Sequence, residues 1–333
     1  MKRLLQFAVL AAFLLVYVLF FRSVSVQVQA QNGCGDTANW TSSACQAIAS
    51  GSLSSAYVNG TQTSNAWTVI SRHGEYAQNE NECNIPSAIS VANSLLVITT
   101  SYSSYTCGDF SPTSGASCPA TGCPSNGNVA PSSWPYTTGD VEWNTFSFQY
   151  GTIIFKATYP STNTSTGTGT WPAHWMLATN CQSSNKYSGD TGAGGCPSYG
   201  QSGYDEIDLR ECYLGTCGFH IYHNNSGQMC PLNEYPGVAH TWWMNWTSGN
   251  ITLYEDGNAV SGCSFTSNIP AQAMFLIIQT QTAPSVEGPP NNSNLPTTMT
   301  TDYVKVCDTN LTASQCNSAA YNNSDVIFYD DFN

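Results

Sequence analysis

The chain has 333 residues, of which 21 are Asp or Glu and only 8 are Lys or Arg, so its net charge is −13. This charge excludes the basic surface that nucleic acid requires and the polybasic segment that holds a protein to an anionic membrane. Aromatic residues make up 12% of the chain, enough apolar material for an ordered core. Few charges beside many small polar and aromatic residues favour an extracellular, β-rich protein.

Residues 1–30 have the pattern of an export signal. Lys2 and Arg3 precede the apolar run Leu4–Phe21, and Val28-Gln29-Ala30 offers small residues for cleavage. The alternative is that the run 4–21 stays uncleaved and anchors the protein in a membrane, since it is long enough to span a bilayer. We expect cleavage, which predicts a secreted protein of the extracellular space or cell wall with no membrane contact.

The cysteines and glycosylation motifs agree with export. All 14 cysteines follow residue 30, enough for seven disulfides (14/2), although the sequence leaves their pairing open. The chain also holds nine N-x-[ST] motifs, which predict a glycoprotein. Their asparagines are Asn39, Asn59, Asn163, Asn224, Asn245, Asn250, Asn291, Asn310 and Asn322.

Taken in chain order, the sequence predicts an extension followed by many short strands. Residues 31–64 are small and polar and form a disulfide-stapled N-terminal extension, and residues 65–333 form one domain. The runs 107–137 and 180–203 are rich in Cys, Gly and Ser and predict loops. Alternating apolar patterns between turn signals predict an all-β jelly-roll sandwich with Cys-stapled loops. The predicted strands are Leu95–Thr100, two within Thr145–Tyr159, Trp171–Thr179, Asp205–Tyr213, Gly218–His223, Ala239–Trp246, Ile251–Tyr254, Met274–Gln281, Thr301–Cys307 and Val326–Tyr329.

The most informative segment is a cluster of carboxylates in an otherwise acid-poor chain. Glu206 and Asp208 share one face of the predicted strand, whereas Glu211 has the opposite parity. A β-bulge near Leu209-Arg210 would return Glu211 to the same face, and bulges are frequent beside active sites. Two such carboxyl groups can serve a retaining glycosidase as nucleophile and acid/base, and a third can raise the pKa of the acid.

A solvated acidic face on an edge strand is the alternative interpretation of this cluster. The neighbouring sequence favours a sugar-binding groove, because Trp171, Trp175 and Tyr222 flank the cluster and sugar C–H faces pack on aromatic rings. Gln279 and Gln281 share a face of a late strand and are candidates for binding sugar hydroxyls, with cross-strand pairing as the alternative.

Several ordered segments resemble glycoside hydrolase family 16, in its laminarinase-like branch with the bulged E-x-D-x-x-E motif. The resemblance covers about 65–333. It is carried by the acidic motif and four further segments, namely Gly74–Glu80, Gly169–Leu177, His240–Gly257 and Met299–Val306. It implies a concanavalin A-like jelly roll and an endo-acting enzyme that cleaves β-1,3-linked polysaccharide, with β-glucan as the expected substrate.

The resemblance also implies roles for individual residues. Glu206 matches the nucleophile, Glu211 the general acid/base and Asp208 the assisting carboxylate, while His223 aligns best with a histidine that lies near these acids. Asp302 matches the strand that supplies a calcium ligand in the family, which makes it a weak candidate. Otherwise we expect no cofactor and no catalytic metal.

The sequence departs from the family pattern just before the acidic motif, at 199–204, and in the longer loop 161–170. These positions belong to the cleft walls, so an endo-β-1,3-galactanase and a cell-wall transglycosylase remain alternatives on the same site. A non-catalytic lectin on the same fold is a further alternative. In every case the partner is a polysaccharide, and we expect a monomer.

Overall fold

The computed structural model describes residues 53–64, 66–70, 72–73, 80–107, 132–144, 146–181, 197 and 201–333. The predicted export signal and most of the predicted extension lie outside these ranges, as does most of the segment 74–80. Among the described residues, no helix is both long and apolar enough to cross a membrane.

Strands dominate the described part of the chain. The first ten are β1 Ala56–Val58, β2 Thr61–Thr63, β3 Trp67–Val69, β4 Arg72–His73, β5 Glu82–Asn84, β6 Ile89–Val91, β7 Leu96–Cys107, β8 Ser132–Thr138, β9 Asp140–Trp143 and β10 Gly151–Thr158. The others are β11 Trp171–Ala178, β12 Asp205–Tyr213, β13 Thr216–His223, β14 Ser226–Leu232, β15 Ala239–Trp246, β16 Ile251–Glu255, β17 Asn258–Phe265, β18 Met274–Gln281, β19 Thr297–Cys307 and β20 Val326–Asp330.

Helices in the described ranges are short. The α-helices are α1 Pro284–Glu287 and α2 Ala313–Ser318, and 3-10 turns lie at Pro86–Ala88, Thr179–Cys181 and Asn292–Asn294. Helix α2 begins with a capping box, in which the Thr312 side chain accepts from the Gln315 backbone and the Gln315 side chain returns to Thr312.

Two sheets form a sandwich, as the sequence predicts. The smaller sheet has the order β14-β13-β12-β11-β18-β9-β3. The larger sheet follows β17-β16-β15-β10-β19-β7-β8-β5-β4, with β1, β2, β6 and β20 attached beside this path. The strand pairs are antiparallel except for β5 and β8, which run parallel. The strand with the acidic motif, β12, therefore lies inside the smaller sheet between β11 and β13.

The core lies between the two sheets and explains the pattern of the central strands. Every residue of β11 and of β18 is buried, and both strands lie in the interior of the smaller sheet. Facing these strands from the larger sheet, Phe155 and Trp242 are fully buried. On the outer face of the larger sheet, Ile154 and Trp243 form a second apolar cluster beneath α2.

The first and the last described strands meet in the larger sheet. Strand β20 pairs with β19 and also with β1, so the C-terminal strand lies within a sheet. Residues 56–63 were assigned to the extension by the sequence, but β1 and β2 belong to this sheet. Phe328 of β20 and Phe332, just after this strand, pack against Trp67. These rings close one end of the core.

Disulfides connect neighbouring elements, as the cysteine count predicts. Among the described cysteines, the bonds are Cys212–Cys217, Cys230–Cys263 and Cys307–Cys316. Cys83 and Cys181 are also disulfide-bonded. The predicted loop 107–137 is largely outside the described residues, but its last part forms β8.

Candidate active site

A β-bulge in β12 brings the three carboxylates to one face. Trp175 of β11 lies opposite Asp208, whereas the next residue, His174, lies opposite Arg210. Leu209 is therefore the extra residue, and both Leu209 and Arg210 point into the core, where each is at most 1% exposed. The strand resumes its alternation afterwards, so Glu211 lies on the same face as Asp208. The bulge predicted at 209–210 is confirmed.

The turn after β12 fixes which histidine meets the acids. Leu214 and Gly215 both have positive φ angles, 55° and 78°, as a two-residue type I′ hairpin requires. This turn pairs Cys212 with Cys217, and after the bulge it places His220 opposite Asp208. His220 Nδ1 lies 3.2 Å from Asp208 Oδ2 and 2.9 Å from Glu211 Oε2.

His223, which the sequence placed beside the acids, lies elsewhere. It pairs with Asp205, and its Nδ1 is 2.6 Å from Asp205 Oδ1 on the far side of the strand. The position expected of His223 is occupied by His220. Counting back from the turn at 214–215 and allowing one bulge residue would have identified His220 from the sequence.

Burial and charge set the protonation of the acids. Burial, together with the negative charge of Glu211, raises the pKa of Asp208 to about 6. Burial alone would lower the pKa of His220, but hydrogen bonds and charge from Asp208 and Glu211 outweigh it and raise the pKa to about 10. At neutral pH His220 is therefore a cationic imidazole that lies beside Asp208 and Glu211.

Aromatic side chains line the cleft around the carboxylates. The cleft is bounded by Trp171, Ala173, Trp175, Glu206, Asp208, Glu211 and Gln281. Trp171 donates its Nε1–H to Glu211 Oε1 at 2.7 Å. The Nε1–H of Trp175 is buried and has no hydrogen-bond partner among the described residues. The two tryptophans and Gln281 thus lie where the sequence analysis expected substrate contacts.

The other two predicted contact residues differ in accessibility. Tyr222 is half-buried and lies opposite Glu206 on β13, so it flanks the cleft. Gln279 shares the face of Gln281 but is only 2% exposed, between Ala173 and Asp140 of the adjoining strands. Gln279 therefore lies in the wall of the cleft rather than at its surface.

Tyr213 is an additional aromatic residue of this region that sequence reasoning missed. Its ring centroid is 5.5 Å from that of Trp171 at an angle of 50°. Burial and the charges of Glu211 and Asp208 raise its pKa. Tyr213 has the parity of Glu211 on β12, so the parity after the bulge was the signal that would have found it.

Two groups of side chains in the described residues have donor atoms close enough for a metal ion. Asp208, Glu211 and His220 form one group, and His240, Glu255 and Asp256 form the other, each with atoms within 4.8 Å. Hydrogen bonds involving the histidine Nδ1 account for the closeness in both. Asp302, the calcium candidate, is paired with Lys156 Nζ, so a lysine already balances its charge; its calcium role stays a prediction.

Comparison with solved structures supports the fold. The laminarinase catalytic domain of Thermotoga maritima is 19% identical, with a TM-score of 0.51 over 75% of this chain and 95% of that one. The endo-β-1,3-glucanase of Pyrococcus furiosus is 19% identical, with a TM-score of 0.51 over 76% and 90%. An endo-acting O-glycanase of the human gut microbiota is 16% identical, with a TM-score of 0.54 over 81% and 95%.

These likenesses confirm the predicted laminarinase-like jelly roll. No family model and no curated protein sequence matches the chain. At this level of identity the comparisons establish a shared fold, and the chemistry has to be argued from the site.

Proposed function

We propose that this protein is an endo-acting retaining glycoside hydrolase that cleaves β-1,3-linked polysaccharide, with β-glucan as its substrate. The observation that carries the proposal is the bulge at Leu209. It aligns Glu206, Asp208 and Glu211 in one cleft beside two tryptophans. The likeness to laminarinase structures supports the choice of a β-1,3-glucan over other polysaccharides.

Glu206 and Glu211 divide the two chemical tasks. Glu206 attacks the anomeric carbon and forms a glycosyl-enzyme ester, while Glu211 gives its proton to the departing glycosidic oxygen. Glu211 then removes a proton from water, which attacks the ester and releases Glu206. The Trp171 N–H and His220 hold the two oxygens of Glu211 separately, so its orientation is fixed for both steps.

Asp208 and His220 supply the proton balance that this mechanism requires. Because Asp208 is buried and is also repelled by Glu211, its pKa is raised and it retains a proton to a higher pH than an isolated carboxylate. The His220 cation lies against both carboxylates and limits the accumulated negative charge when Glu206 is also ionised. The cluster can therefore provide an acid and an anionic nucleophile in the same cleft.

The cleft walls suit a neutral sugar. Indole faces pack against pyranose C–H groups, and the amide of Gln281 in the cleft lining offers hydrogen bonds to hydroxyls. The site lining contains no Lys or Arg, which disfavours a polyanionic glycan. We also propose that the protein acts as a secreted monomer, as expected from the export signal.

The test is sugar release from β-1,3-glucan, mixed-linkage glucan and β-1,3-galactan by protein secreted from a eukaryotic host, so that disulfides form. We expect oligosaccharides from β-1,3-glucan with retained anomeric configuration, and loss of release in Glu206→Gln. Glu255→Gln is the matched control, since it makes the same change on β16 of the larger sheet and should leave release intact.

Other outcomes select the alternatives. Release from the galactan alone would make the protein a galactanase, and longer products appearing with an added oligosaccharide acceptor would make it a transglycosylase. Binding of a polymer without release, equal in the wild type and Glu206→Gln, would reject the enzyme and favour a lectin.

A further inference from the structure

The nucleophile candidate has a second partner that the mechanism above does not use. Tyr204 precedes β12, is only 2% exposed and packs in the main core. Its hydroxyl donates a hydrogen bond to Glu206 Oε2. Glu206 and Asp208 are neighbours on the cleft face of β12 and line the same cleft. The charge of one carboxylate therefore opposes ionisation of the other.

The position of Tyr204 is fixed by the backbone on both sides. Its carbonyl accepts from Asn224 N at 2.7 Å, and the Asn224 side chain accepts from Gly203 N at 2.7 Å. Next to it, Asp205 points into the core and accepts from Ala271 N at 3.1 Å and from Gln272 Nε2 at 3.2 Å.

His223 completes this arrangement through its 2.6 Å contact with Asp205. These hydrogen bonds hold the start of β12 on its core face. They thereby fix the position from which the Tyr204 hydroxyl reaches Glu206.

We propose that Tyr204 is a positioning residue that keeps Glu206 the ionised member of the Glu206–Asp208 pair. A hydroxyl donor stabilises a carboxylate and does not stabilise a carboxylic acid in the same way. A proton bound by this pair therefore resides on Asp208, and Glu206 remains available to attack. This inference assigns the deciding hydrogen bond to a residue outside the acidic motif, and it rests on the proposed function only for its consequence in catalysis.

Few other titratable groups face this pair. On β12 itself the neighbour is Glu211, and on β13 the pair faces Tyr222 and His220. The facing residues of β11 are Leu177 and Trp175, which do not titrate. His220 contacts Asp208 and not Glu206 in the contacts described above, so it favours ionised Asp208. Tyr204 has the opposite effect, because it favours ionised Glu206. Loss of its hydroxyl should therefore shift the titration midpoints of both carboxyl groups.

The test is an NMR titration of the protein labelled with ¹³C at the Asp and Glu carboxyl carbons. Glu206→Gln and Asp208→Asn identify the two signals by their loss. In Tyr204→Phe we expect the midpoint of Glu206 to rise and that of Asp208 to fall, each by about one pH unit. Tyr329→Phe is the matched control, because that hydroxyl donates to Asp331 at 3.4 Å on another strand; it should move neither midpoint.

A reciprocal shift supports the proposal, and unchanged midpoints in a folded Tyr204→Phe overturn it. Incorporation of 3-fluorotyrosine at 204 provides a second variant with a stronger donor of nearly the same size. It should lower the midpoint of Glu206, and a rise or no change would contradict the proposal. The titration midpoints are measured without substrate. They therefore test the role of Tyr204 independently of the proposed hydrolase activity.

Where sugar release is observed, Tyr204→Phe should lower kcat about tenfold with little change in KM, since Tyr204 lies outside the cleft lining. A change confined to KM would contradict the assigned role.

Discussion

The two faces of β12 carry charge in different ways. On the cleft face, Glu206, Asp208 and Glu211 line one small cleft, and His220 contacts two of them, Asp208 and Glu211. On the core face, Asp205 and Arg210 have different partners. Asp205 bonds to His223, Ala271 and Gln272, whereas Arg210 donates to the Asn233 carbonyl. The same strand therefore couples charges on one side and isolates them on the other.

Arg210 shows how the core face holds a charge against aromatic rings and a backbone carbonyl. Its guanidinium lies 4.2 Å from the ring centroid of Trp242 and 4.9 Å from that of Tyr159, and it donates to Asn233 O at 2.9 Å. Stacking on two rings compensates part of the loss of hydration. On the core face the charged residue Arg210 belongs to the β-bulge itself. On the cleft face the charged residues are the candidates for catalysis.

Removal of Glu211 should give the largest effect and leave the core face untouched. We expect Glu211→Gln to lower kcat on polymer by about 10³-fold, because the leaving oxygen loses its acid. The free energy of unfolding should change by less than about 1 kcal/mol. Initial rates on polymer and on an aryl glycoside with an activated leaving group measure this, and the second substrate, which needs no proton, should lose far less. Equal losses would remove Glu211 from the acid role.

Truncation of Arg210 should lower the stability of the fold and leave the acids of the cleft face in place. Arg210→Ala removes both ring contacts and leaves a cavity, so we expect about 3 kcal/mol of destabilisation in urea unfolding. Arg210→Met fills the space without a buried charge and should recover most of that loss. If Arg210→Met were as unstable as Arg210→Ala, the guanidinium itself, and not its volume, would stabilise the bulge.

His220 should make stability depend on pH. Its pKa is raised from 6.5 to about 10 in the folded protein, so its contribution is complete below pH 6.5 and is lost as the pH rises through 10. We expect about 2 kcal/mol more loss of unfolding free energy between pH 7 and 10 in the wild type than in His220→Gln. Parallel pH curves for the two proteins would contradict this assignment.

The activity profile should show the coupled carboxylates. Because the pKa of Asp208 is raised to about 6, the cluster loses its proton as the pH rises above that value. We expect kcat/KM to fall about tenfold per pH unit on the alkaline side of 6, and Asp208→Asn to move this limb. If kcat/KM did not change between pH 5 and 8, protonation of Asp208 would have no part in the acid step.

Much of this arrangement could be predicted from the sequence. Strongly apolar or alternating segments gave strands with the observed bounds at 205–213, 239–246 and 274–281, because central strands are dictated by burial. The bulge followed from the spacing of the three acids. The site could therefore be located before any coordinates.

Two of the missed strands, β14 and β17, have a common physical cause. Both contain Gly and Ser and lie at the edges of their sheets, where burial imposes little pattern. They are held instead by the Cys230–Cys263 disulfide. His220 was missed because register depends on the turn and the bulge together, and Tyr204 because a tyrosine outside the motif carries no spacing signal.

Strand β20 sets a condition on the order of biosynthesis. The Asp330 side chain receives Trp67 Nε1–H at 2.7 Å and the Ser54 hydroxyl, partners more than 260 positions earlier in the chain. Since β20 lies between β19 and β1, this part of the larger sheet stays open until residues 326–332 have left the ribosome. During translation the β1 segment therefore stays without its β20 partner until residues 326–330 have been synthesised.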